Sequence, residues 1–282
     1  MAVGVVHPGE MGAAIGRELV ARGATVRWAS EGRSKASATR ASVAGLVDAN
    51  DVAGLAGGCD TILSVCPPHA AVDVARAVAS AGFRGWYVDA NAVSPSTARE
   101  VAAVVTAAGA RFVDGGIIGS PPAPGRPVHL WLSGPGAAEV AGSFEGTEVL
   151  ARVVGTGEVA ASALKMCFAA WTKGASALLL ATRSVARRHR VEEELLGEWA
   201  ALAPGLVDQS RRAAQQAATK GWRWVKEMEE IAVTFAEAGL PAGFHEAARA
   251  VYAAVELDRT AAPDEATAEA VLSALMAMGP AG

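Results

Sequence analysis

The sequence is poor in cysteine, in long apolar runs and in any sign of an export signal. Its 282 residues include three cysteines, Cys59, Cys66 and Cys167, without paired spacing, which fits a reducing compartment better than a disulfide scaffold. No apolar run approaches the roughly 20 residues that span a bilayer. The first residues lack a basic region followed by a cleavable apolar segment. We therefore expect a cytoplasmic protein with no membrane partner.

The chain also lacks a strong net charge of either sign. Its 25 Lys and Arg residues stand against 29 Asp and Glu residues, a net charge of −4. Because no basic surface runs along the chain, we expect no nucleic-acid partner. The one basic cluster, RSVARRHR at 183–190, is interpreted as a solvated helix end, where cations suit the helix dipole. Hydrophobic residues make up 51% of the chain, enough to bury a sizeable core.

The first half of the chain alternates strand-like and helix-like segments. Strands are predicted at 2–6, 25–29, 61–66, 85–90, 111–115 and 128–132, and helices at 70–81 and 96–108. Alternation of this kind is typical of a mostly parallel sheet covered by helices on both faces. We therefore predict an α/β fold, a doubly wound sheet of the Rossmann type, for an NADP-binding domain at residues 1–156.

The pattern changes after VVGTG at 153–157. From Glu158 to about Arg190 the chain has no proline and one glycine, and it predicts one long helix. The remainder is helical in pattern, with breaks predicted at 203–205, 220–221, 239–243 and 261–265. The second domain, 157–282, is therefore predicted to be all-helical. A helix of about 30 residues is some 45 Å long, more than a small domain covers, so we expect a homodimer through this domain.

A glycine-containing loop, HPGEMG at 7–12, joins the first predicted strand to the first predicted helix. In G-x-G-x-x-G loops the first glycine makes a tight turn, the second lets the backbone approach a diphosphate, and the third allows helix–strand packing. Gly9 and Gly12 hold the second and third positions, and His7 replaces the first. Because Pro8 favours extended backbone before it, we expect a negative φ at His7 and a diphosphate on the N–H groups after Gly9. The alternative is a turn that binds nothing.

The end of the second strand bears on the choice between NADP and NAD. An acidic residue there bonds the ribose hydroxyls of NAD, whereas a basic site holds the 2′-phosphate of NADP. The chain offers Ser30, Arg33, Ser34 and Lys35 to a phosphate, and Arg33 is the best suited of them. Glu31 could instead bond a ribose, and an ordinary charged loop is a further alternative. We favour NADP (NADPH) over NAD.

Six motifs follow one another in an order that carries a family resemblance. They are HPGEMG (7–12), SVCPPHAAV (64–72), DANAVSP (89–95), FVDGGIIGS (112–120), GTG (155–157) followed by a helix with Lys165, and KEMEEIAVTFAEAGLPAGF (226–244). In this order they resemble the motifs of the β-hydroxyacid dehydrogenase family, which includes 6-phosphogluconate dehydrogenases and is related to imine reductases. The resemblance spans most of the chain and looks closest to a subgroup with a variant C-terminal domain.

The resemblance implies which residues meet the cofactor and the substrate. Cofactor contacts are expected from His7, Pro8, Gly9, Glu10, Met11, Gly12, Ser30, Arg33, Ser34, Lys35, Cys66, Pro67, Pro68 and Asn91. Substrate contacts are expected from Asn91, Ser120, Trp222 and Glu227. Tryptophans spaced like Trp222 and Trp224 more often pack in a core, which is the alternative for Trp222.

The catalytic lysine is where the chain departs from the family pattern. The resemblance places that lysine four residues after the second glycine of GTG, where this chain has Ala161. Lys165 follows one turn later on the same helix face, so we predict it as the proton donor or electrostatic anchor. Lys226 in the later helix is the alternative donor. The asparagine expected one turn beyond the lysine is Ala169. Asn91 replaces the serine of the substrate loop and is predicted as a further catalytic residue. A lysine that only extends from a structural helix to solvent is the other interpretation of Lys165.

These motifs predict an NAD(P)-dependent oxidoreductase. It would transfer hydride between NADPH and a small C=O or C=N substrate bound in the cleft between the two domains. Imine reduction, as in imine reductases and reductive aminases, is the alternative within this class. A non-catalytic NADP-binding sensor or scaffold is the alternative outside it. No metal site is predicted.

Overall fold

The computed structural model describes residues 2–155, 157–255 and 264–278, and it divides the chain into two compact units, Met1–Met166 and Cys167–Gly282. The division falls inside the long helix, whereas the sequence predicted a boundary at residue 156. The first turns of that helix belong to the first unit because they bond to its sheet: the Ser162 N–H donates to the Asp114 carboxylate at 2.8 Å.

The first unit is one eight-stranded sheet with helices. Its strands are β1 (Ala2–Val5), β2 (Thr25–Trp28), β3 (Val47–Asp48), β4 (Thr61–Ser64), β5 (Trp86–Asp89), β6 (Arg111–Ile118), β7 (Val128–Ser133) and β8 (Val149–Val153). Its helices are α1 (Glu10–Ala21), α2 (Lys35–Val43), α3 (Val52–Gly58), α4 (Ala71–Ser80), α5 (Pro95–Ala107) and α6 (Ala137–Gly142), with a 3₁₀ turn at Pro68–Ala70. The strand order is β3-β2-β1-β4-β5-β6-β7-β8, parallel except between β6 and β7. This confirms the predicted Rossmann-type fold.

Successive side chains of the central strands enter two different cores. Ile62 and Tyr87 are fully buried in one core, and the residues that follow them, Leu63 and Val88, are buried in the other. The alternation follows from the period of two in a β-strand. Because both faces are covered, these strands are apolar throughout, which made them recognisable in the sequence. The sequence did not predict β3, which has two exposed residues, or β8.

The second unit is helical, as predicted. Its elements are the continuation of α7 (Ala160–His189), then α8 (Glu192–Leu202), α9 (Leu206–Glu237), α10 (Gly243–Ala253) and α11 (Glu265–Met276). The break predicted at 220–221 is wrong, because α9 continues through it. Gly221 is buried in this helix beside the Tyr252 ring, and a Cβ there would lie 3.7 Å from the ring, in ordinary contact. The break predicted at 261–265 falls partly outside the described residues.

The basic cluster at 183–190 is more than a solvated helix end. Arg183 and Arg187 both pair with Glu192, and their side chains are only 11% and 16% exposed. Arg187 also pairs with Glu269 of α11. These cations therefore join three helices, which corrects the sequence interpretation. Within the described ranges, no helix is long and apolar enough to cross a bilayer.

Candidate active site

The loop between β1 and α1 has the geometry of an anion site. The Gly9 N–H donates to the His7 carbonyl at 2.9 Å, which closes a tight turn, and Gly9 then begins α1 with no side chain capping the helix. A Cβ on Gly12 would lie 2.4 Å from the His7 carbonyl oxygen, so only glycine allows α1 to lie this close to the loop. A Cβ on Gly9 would meet no atom within 4 Å. The open side of Gly9 and the uncapped helix fit a bound diphosphate.

His7 replaces glycine in this loop without backbone strain. Asn50 and Arg190 are the non-glycine residues with positive φ in the described part of the chain, so φ at His7 is negative, as predicted from Pro8. Burial, together with the smaller effect of the nearby Arg33 charge, lowers the pKa of the His7 imidazole to about 4. His7 is therefore neutral at physiological pH.

The loop after β2 places Arg33 near the anion site. The Arg33 charge acts on both His7 and the Cys66 thiol, so its guanidinium lies near these two groups. Ser34 caps α2, where its hydroxyl accepts from the Ser37 N–H at 3.2 Å. The Ser30 hydroxyl donates to the Asn50 carbonyl at 3.3 Å. Two of the four predicted phosphate ligands thus have local partners, and Arg33 stays the strongest of the four.

The loops after β4 and β5 are tied together by Asn91. Its amide oxygen accepts from the Cys66 N–H at 2.6 Å, and its amide nitrogen donates to the hydroxyl of Ser64 at 3.1 Å and to the carboxylate of Asp89. Asn91 is 2% exposed. This geometry favours a positioning role for Asn91 over the direct substrate contact that the sequence predicted. Burial raises the pKa of the Cys66 thiol to about 12, with the Asp89 charge adding to it, so the thiol stays protonated.

The start of α7 is fixed to the sheet by buried polar groups. The Asp114 carboxylate in β6 accepts from both the backbone N–H and the hydroxyl of Ser162, and from the Ser133 hydroxyl of β7 at 2.9 Å. The Ala161 N–H donates to the same Ser133 hydroxyl at 3.0 Å. Burial raises the pKa of Asp114, although these hydrogen bonds oppose it. Side chains from two strands therefore cap this helix.

Lys165 lies one turn beyond this cap. A Cβ on Gly116 of β6 would come within 3.0 Å of the Lys165 Cβ and 2.6 Å of the Ala161 carbonyl oxygen, so both helix positions face the same point of the strand. Asp114 pairs with Asp89, the last residue of β5, and Gly116 therefore lies beyond the carboxyl end of β5. Loops at this edge of an open α/β sheet form the usual ligand crevice. Lys165 thus enters the edge where the cofactor loops lie.

The environment of Lys165 disfavours its charge. The residue is half-buried, and no carboxylate pairs with its ammonium in the part of the chain that the structure describes. Burial lowers the pKa of Lys165 to about 8. A lysine poised in this way is suited to proton transfer near neutral pH. Farther along α7, the hydroxyls of Thr172 and Ser176 donate to carbonyls of their own helix.

The candidate site residues on α9 have different surroundings. Lys226 is exposed on α9 and pairs with Glu229 at 2.8 Å, three residues on. Glu227 turns toward α7, where it pairs with Lys173; both side chains are 15% exposed. Trp222 is 43% exposed, and Trp224 is buried against Tyr252 with ring centroids 5.0 Å apart. In the first unit, Ser120 lies exposed in the loop after β6.

Sequence reasoning did not single out Arg40, Asp114 or Lys173. Arg40 of α2 donates to the Pro8 carbonyl at 3.1 Å, so it holds the loop before α1. Each of the three acts on a residue far along the chain, and no local spacing reveals such a pair. A buried aspartate within the apolar run RFVDGG was the one available signal, because a charged residue in a buried strand requires partners.

These features define a dinucleotide-binding domain that precedes a helical domain. Residues 2–125 match the model of the NAD binding domain of 6-phosphogluconate dehydrogenase, and residues 186–255 match a domain of unknown function, DUF1932. Residues 2–125 are therefore similar to the NAD binding domain of 6-phosphogluconate dehydrogenase, in agreement with the resemblance that the order of motifs indicated.

Other similar proteins match longer stretches of the chain. An uncharacterised 28.5 kDa protein of Methanothermus fervidus is 32% identical over 61% of this chain, and the match spans 65% of that relative's length. A conserved hypothetical protein from Sinorhizobium meliloti 1021 is 27% identical with a TM-score of 0.70, covering 97% of this chain and 96% of that one. The conserved protein MTH1747, described as structurally similar to 3-hydroxyacid dehydrogenases, is 26% identical with a TM-score of 0.65, covering 98% and 96%.

Two enzymes share the fold at lower identity. The 3-hydroxyisobutyrate dehydrogenase of Mycobacterium tuberculosis is 16% identical with a TM-score of 0.71, covering 96% of this chain and 98% of that one. An imine reductase of Streptomyces aurantiacus is 20% identical with a TM-score of 0.53, covering 90% of this chain and 93% of that one. At these identities the likeness shows a shared fold alone, and the match of residues 2–125 indicates an NAD(P)-binding N-terminal domain.

Proposed function

We propose that the protein is an NADP-preferring oxidoreductase that acts on a small C=O or C=N compound at the carboxyl edge of its N-terminal sheet. The observation that carries the proposal is Lys165, a half-buried cation with its pKa lowered to about 8 at this edge. The bound nicotinamide supplies or accepts the hydride. The residues of this chain bind and orient the reactants and transfer the proton.

Binding of the dinucleotide rests on the start of α1. The uncapped N–H groups of this helix attract a diphosphate, and the open side of Gly9 leaves room for it. Arg33 is the proposed ligand of the 2′-phosphate, since its guanidinium lies near the same loop. Charge-assisted hydrogen bonds are worth roughly 1.5–3 kcal/mol. Arg33→Ala should therefore reduce the preference for NADPH over NADH by tenfold or more, measured as the ratio of dissociation constants.

Lys165 is the proposed proton donor. Reduction of a carbonyl or iminium carbon changes the charge on the neighbouring oxygen or nitrogen, and a positioned donor contributes roughly 10²–10⁴-fold to such a step. One turn earlier, at the position of the family's lysine, this chain has Ala161. Ala161 is fully buried against Gly116, and its N–H donates to the Ser133 hydroxyl that caps the helix. Lys165 therefore takes the role from the next turn of the same face.

The test is a matched pair of lysine variants. Lys165→Ala should lower kcat at least tenfold in NADPH oxidation with a panel of ketones, aldehydes and imines, while the dissociation constant for NADPH stays nearly unchanged. Lys226→Ala is the control, because Lys226 is exposed and pairs with Glu229. If Lys226→Ala loses turnover and Lys165→Ala keeps it, the assignment is wrong. If the wild-type protein binds NADPH and turns over nothing in the panel, a non-catalytic binding module replaces this proposal.

The pH dependence gives a second test of the same residue. The donor is the protonated amine, so kcat for reduction should fall as pH rises through about 8, the pKa of Lys165. Lys165→Arg keeps the cation at all accessible pH values but cannot give up its proton, so kcat should be much lower and should no longer fall near pH 8. A profile with the same alkaline limb in Lys165→Arg would assign the limb to another group.

One observation favours an imine over a carbonyl acid as substrate. Asn91, which replaces the substrate-loop serine, uses its amide on Cys66, Ser64 and Asp89, so this side chain is not available to hold a substrate carboxylate. A cyclic imine should therefore be reduced with a higher kcat/KM than a 3-oxo acid of similar size. The opposite order would favour a hydroxyacid dehydrogenase.

We further propose a homodimer through the helical domain. Phe168, Trp171, Leu178 and Val185 of α7 are 46%, 75%, 68% and 58% exposed. At 100° per residue they fall on one side of the helix, and a contiguous apolar face of this kind marks an interaction surface. Light scattering should give the mass of a dimer at micromolar concentration, and Trp171→Glu should shift it toward the monomer. A stable wild-type monomer would contradict the proposal.

A further inference from the structure

Arg40 connects two loops that are assigned to different phosphates. Its Nε donates to the Pro8 carbonyl at 3.1 Å, in the loop before α1, and its Nη2 donates to the Ser37 hydroxyl at 3.2 Å, in the first turn of α2. Among the described residues these are the hydrogen bonds of its half-buried guanidinium, and no carboxylate pairs with it. A cation in this position acts on backbone and hydroxyl oxygens alone.

Because of the contact with Pro8, both polar groups of one peptide unit are hydrogen-bonded. The carbonyl of the Pro8–Gly9 peptide is held by Arg40, and its N–H donates to the His7 carbonyl at 2.9 Å. Proline provides no N–H of its own to this loop. With both polar groups of the peptide bonded, the unit cannot rotate to present its carbonyl oxygen to an anion at the start of α1.

The contact with Ser37 extends the link to the other loop. The Ser37 hydroxyl lies 3.2 Å from the Ser34 hydroxyl, and Ser34 caps α2 by accepting from the Ser37 N–H. Ser34 directly follows Arg33, the proposed ligand of the 2′-phosphate. A continuous set of hydrogen bonds therefore runs from the diphosphate loop to the residue beside the 2′-phosphate ligand.

We infer that Arg40 is a positioning residue that holds the diphosphate loop in its binding conformation from α2, without itself contacting the dinucleotide. The inference rests on the proposed dinucleotide-binding function. It predicts that loss of Arg40 weakens both nicotinamide dinucleotides by a similar factor, because both contain the diphosphate. A direct ligand of the 2′-phosphate would weaken NADPH alone.

The experiment compares Arg40→Ala with Arg33→Ala in the full-length protein. Dissociation constants for NADPH and NADH are measured by fluorescence titration. We expect Arg40→Ala to weaken both about tenfold with an unchanged ratio, and Arg33→Ala to change the ratio. Arg40→Gln, which keeps a donor and removes the charge, should recover part of the affinity. A selective loss of NADPH in Arg40→Ala would make Arg40 a phosphate ligand, and unchanged constants would remove its role; either result overturns the inference.

A readout without ligand separates this inference from the proposed function. In Arg40→Ala, amide hydrogen exchange of residues 7–12 should become faster while the helices of the second unit keep the exchange of the wild type. If the wild type binds neither nucleotide, the proposed function fails, and exchange at 7–12 still decides on Arg40. Unchanged exchange at 7–12 would overturn the positioning role even if nucleotide binding is confirmed.

Discussion

The helices α1 and α7 both begin next to the central sheet, and they begin in opposite ways. No side chain caps α1, and a Cβ on its first flanking residue, Gly9, would meet nothing within 4 Å. The first N–H groups of α7 are taken up by Ser133 and by the buried carboxylate of Asp114. Unsatisfied N–H groups at a helix start need a partner. The donors of α1 are therefore available to the proposed diphosphate, whereas α7 uses its first donors to fix its own first turn to the sheet.

The largest expected effect comes from removing the cap of α7. Asp114→Ala leaves the N–H and the hydroxyl of Ser162 without their acceptor in a buried site, whereas the Ser133 hydroxyl keeps the Glu158 carbonyl as an acceptor at 3.2 Å. Unsatisfied buried groups of this kind should lower the free energy of unfolding by about 2–4 kcal/mol. Urea unfolding measures the loss, and Ser162→Ala, which keeps the backbone hydrogen bond, should lose less. A large change in NADPH affinity of the folded variant, with little loss of stability, would contradict the division of roles.

A matched pair of glycine variants tests the other helix. Gly12→Ala places a Cβ 2.4 Å from the His7 carbonyl oxygen, so the loop must shift, and we expect a loss of about 1–3 kcal/mol in stability together with at least tenfold weaker binding. Gly9 has a φ of −68° and free space at its Cβ. Gly9→Ala should therefore keep the Tm of the wild type and lose affinity only because the bound diphosphate needs that space. Unchanged affinity in Gly9→Ala would place the phosphates elsewhere.

The smallest effect is expected from restoring the missing glycine of the loop. His7→Gly removes a side chain from a position whose φ is already negative, so the turn does not require it. NADPH affinity should change less than threefold, far less than in Gly9→Ala, when both are measured by the same titration. A gain of tenfold or more would show that His7 hinders the cofactor in the wild-type loop.

The contrast between the two helix starts also shows what the sequence could reveal. The α1 loop was predicted because its glycines, proline and flanking strand lie within a dozen residues. The eight-stranded sheet was predicted except for β3 and β8, since buried parallel strands are apolar throughout. The cap of α7 joins residues 48 apart, and the Arg40 contact joins residues 32 apart. Such pairs exist only after the chain has folded, so local spacing does not predict them.

The candidate lysines also show that local sequence does not predict the partners of a single side chain. Lys165 was singled out by its helix face, which holds for any regular helix. Lys226 pairs with Glu229 three residues on in the same helix, whereas the pairing of Glu227 with Lys173 depends on how α9 packs against α7. Side chains of neighbouring residues on a helix point about 100° apart, so the adjacent residues Lys226 and Glu227 face different surroundings. The family motif therefore indicated the segment, and packing decided the partners.

The half-buried amine of Lys165 makes the fold less stable than it could be. Its pKa in the folded protein, about 8, is below the 10.5 of an exposed lysine, so folding disfavours its protonation. The contribution of this group to stability is present above pH 10.5 and is lost as the pH falls through about 8. At pH 7, Lys165→Met should therefore unfold at higher urea concentration than the wild type, by about 1–3 kcal/mol, while it loses turnover. A protein under selection for thermal endurance alone would not keep this lysine.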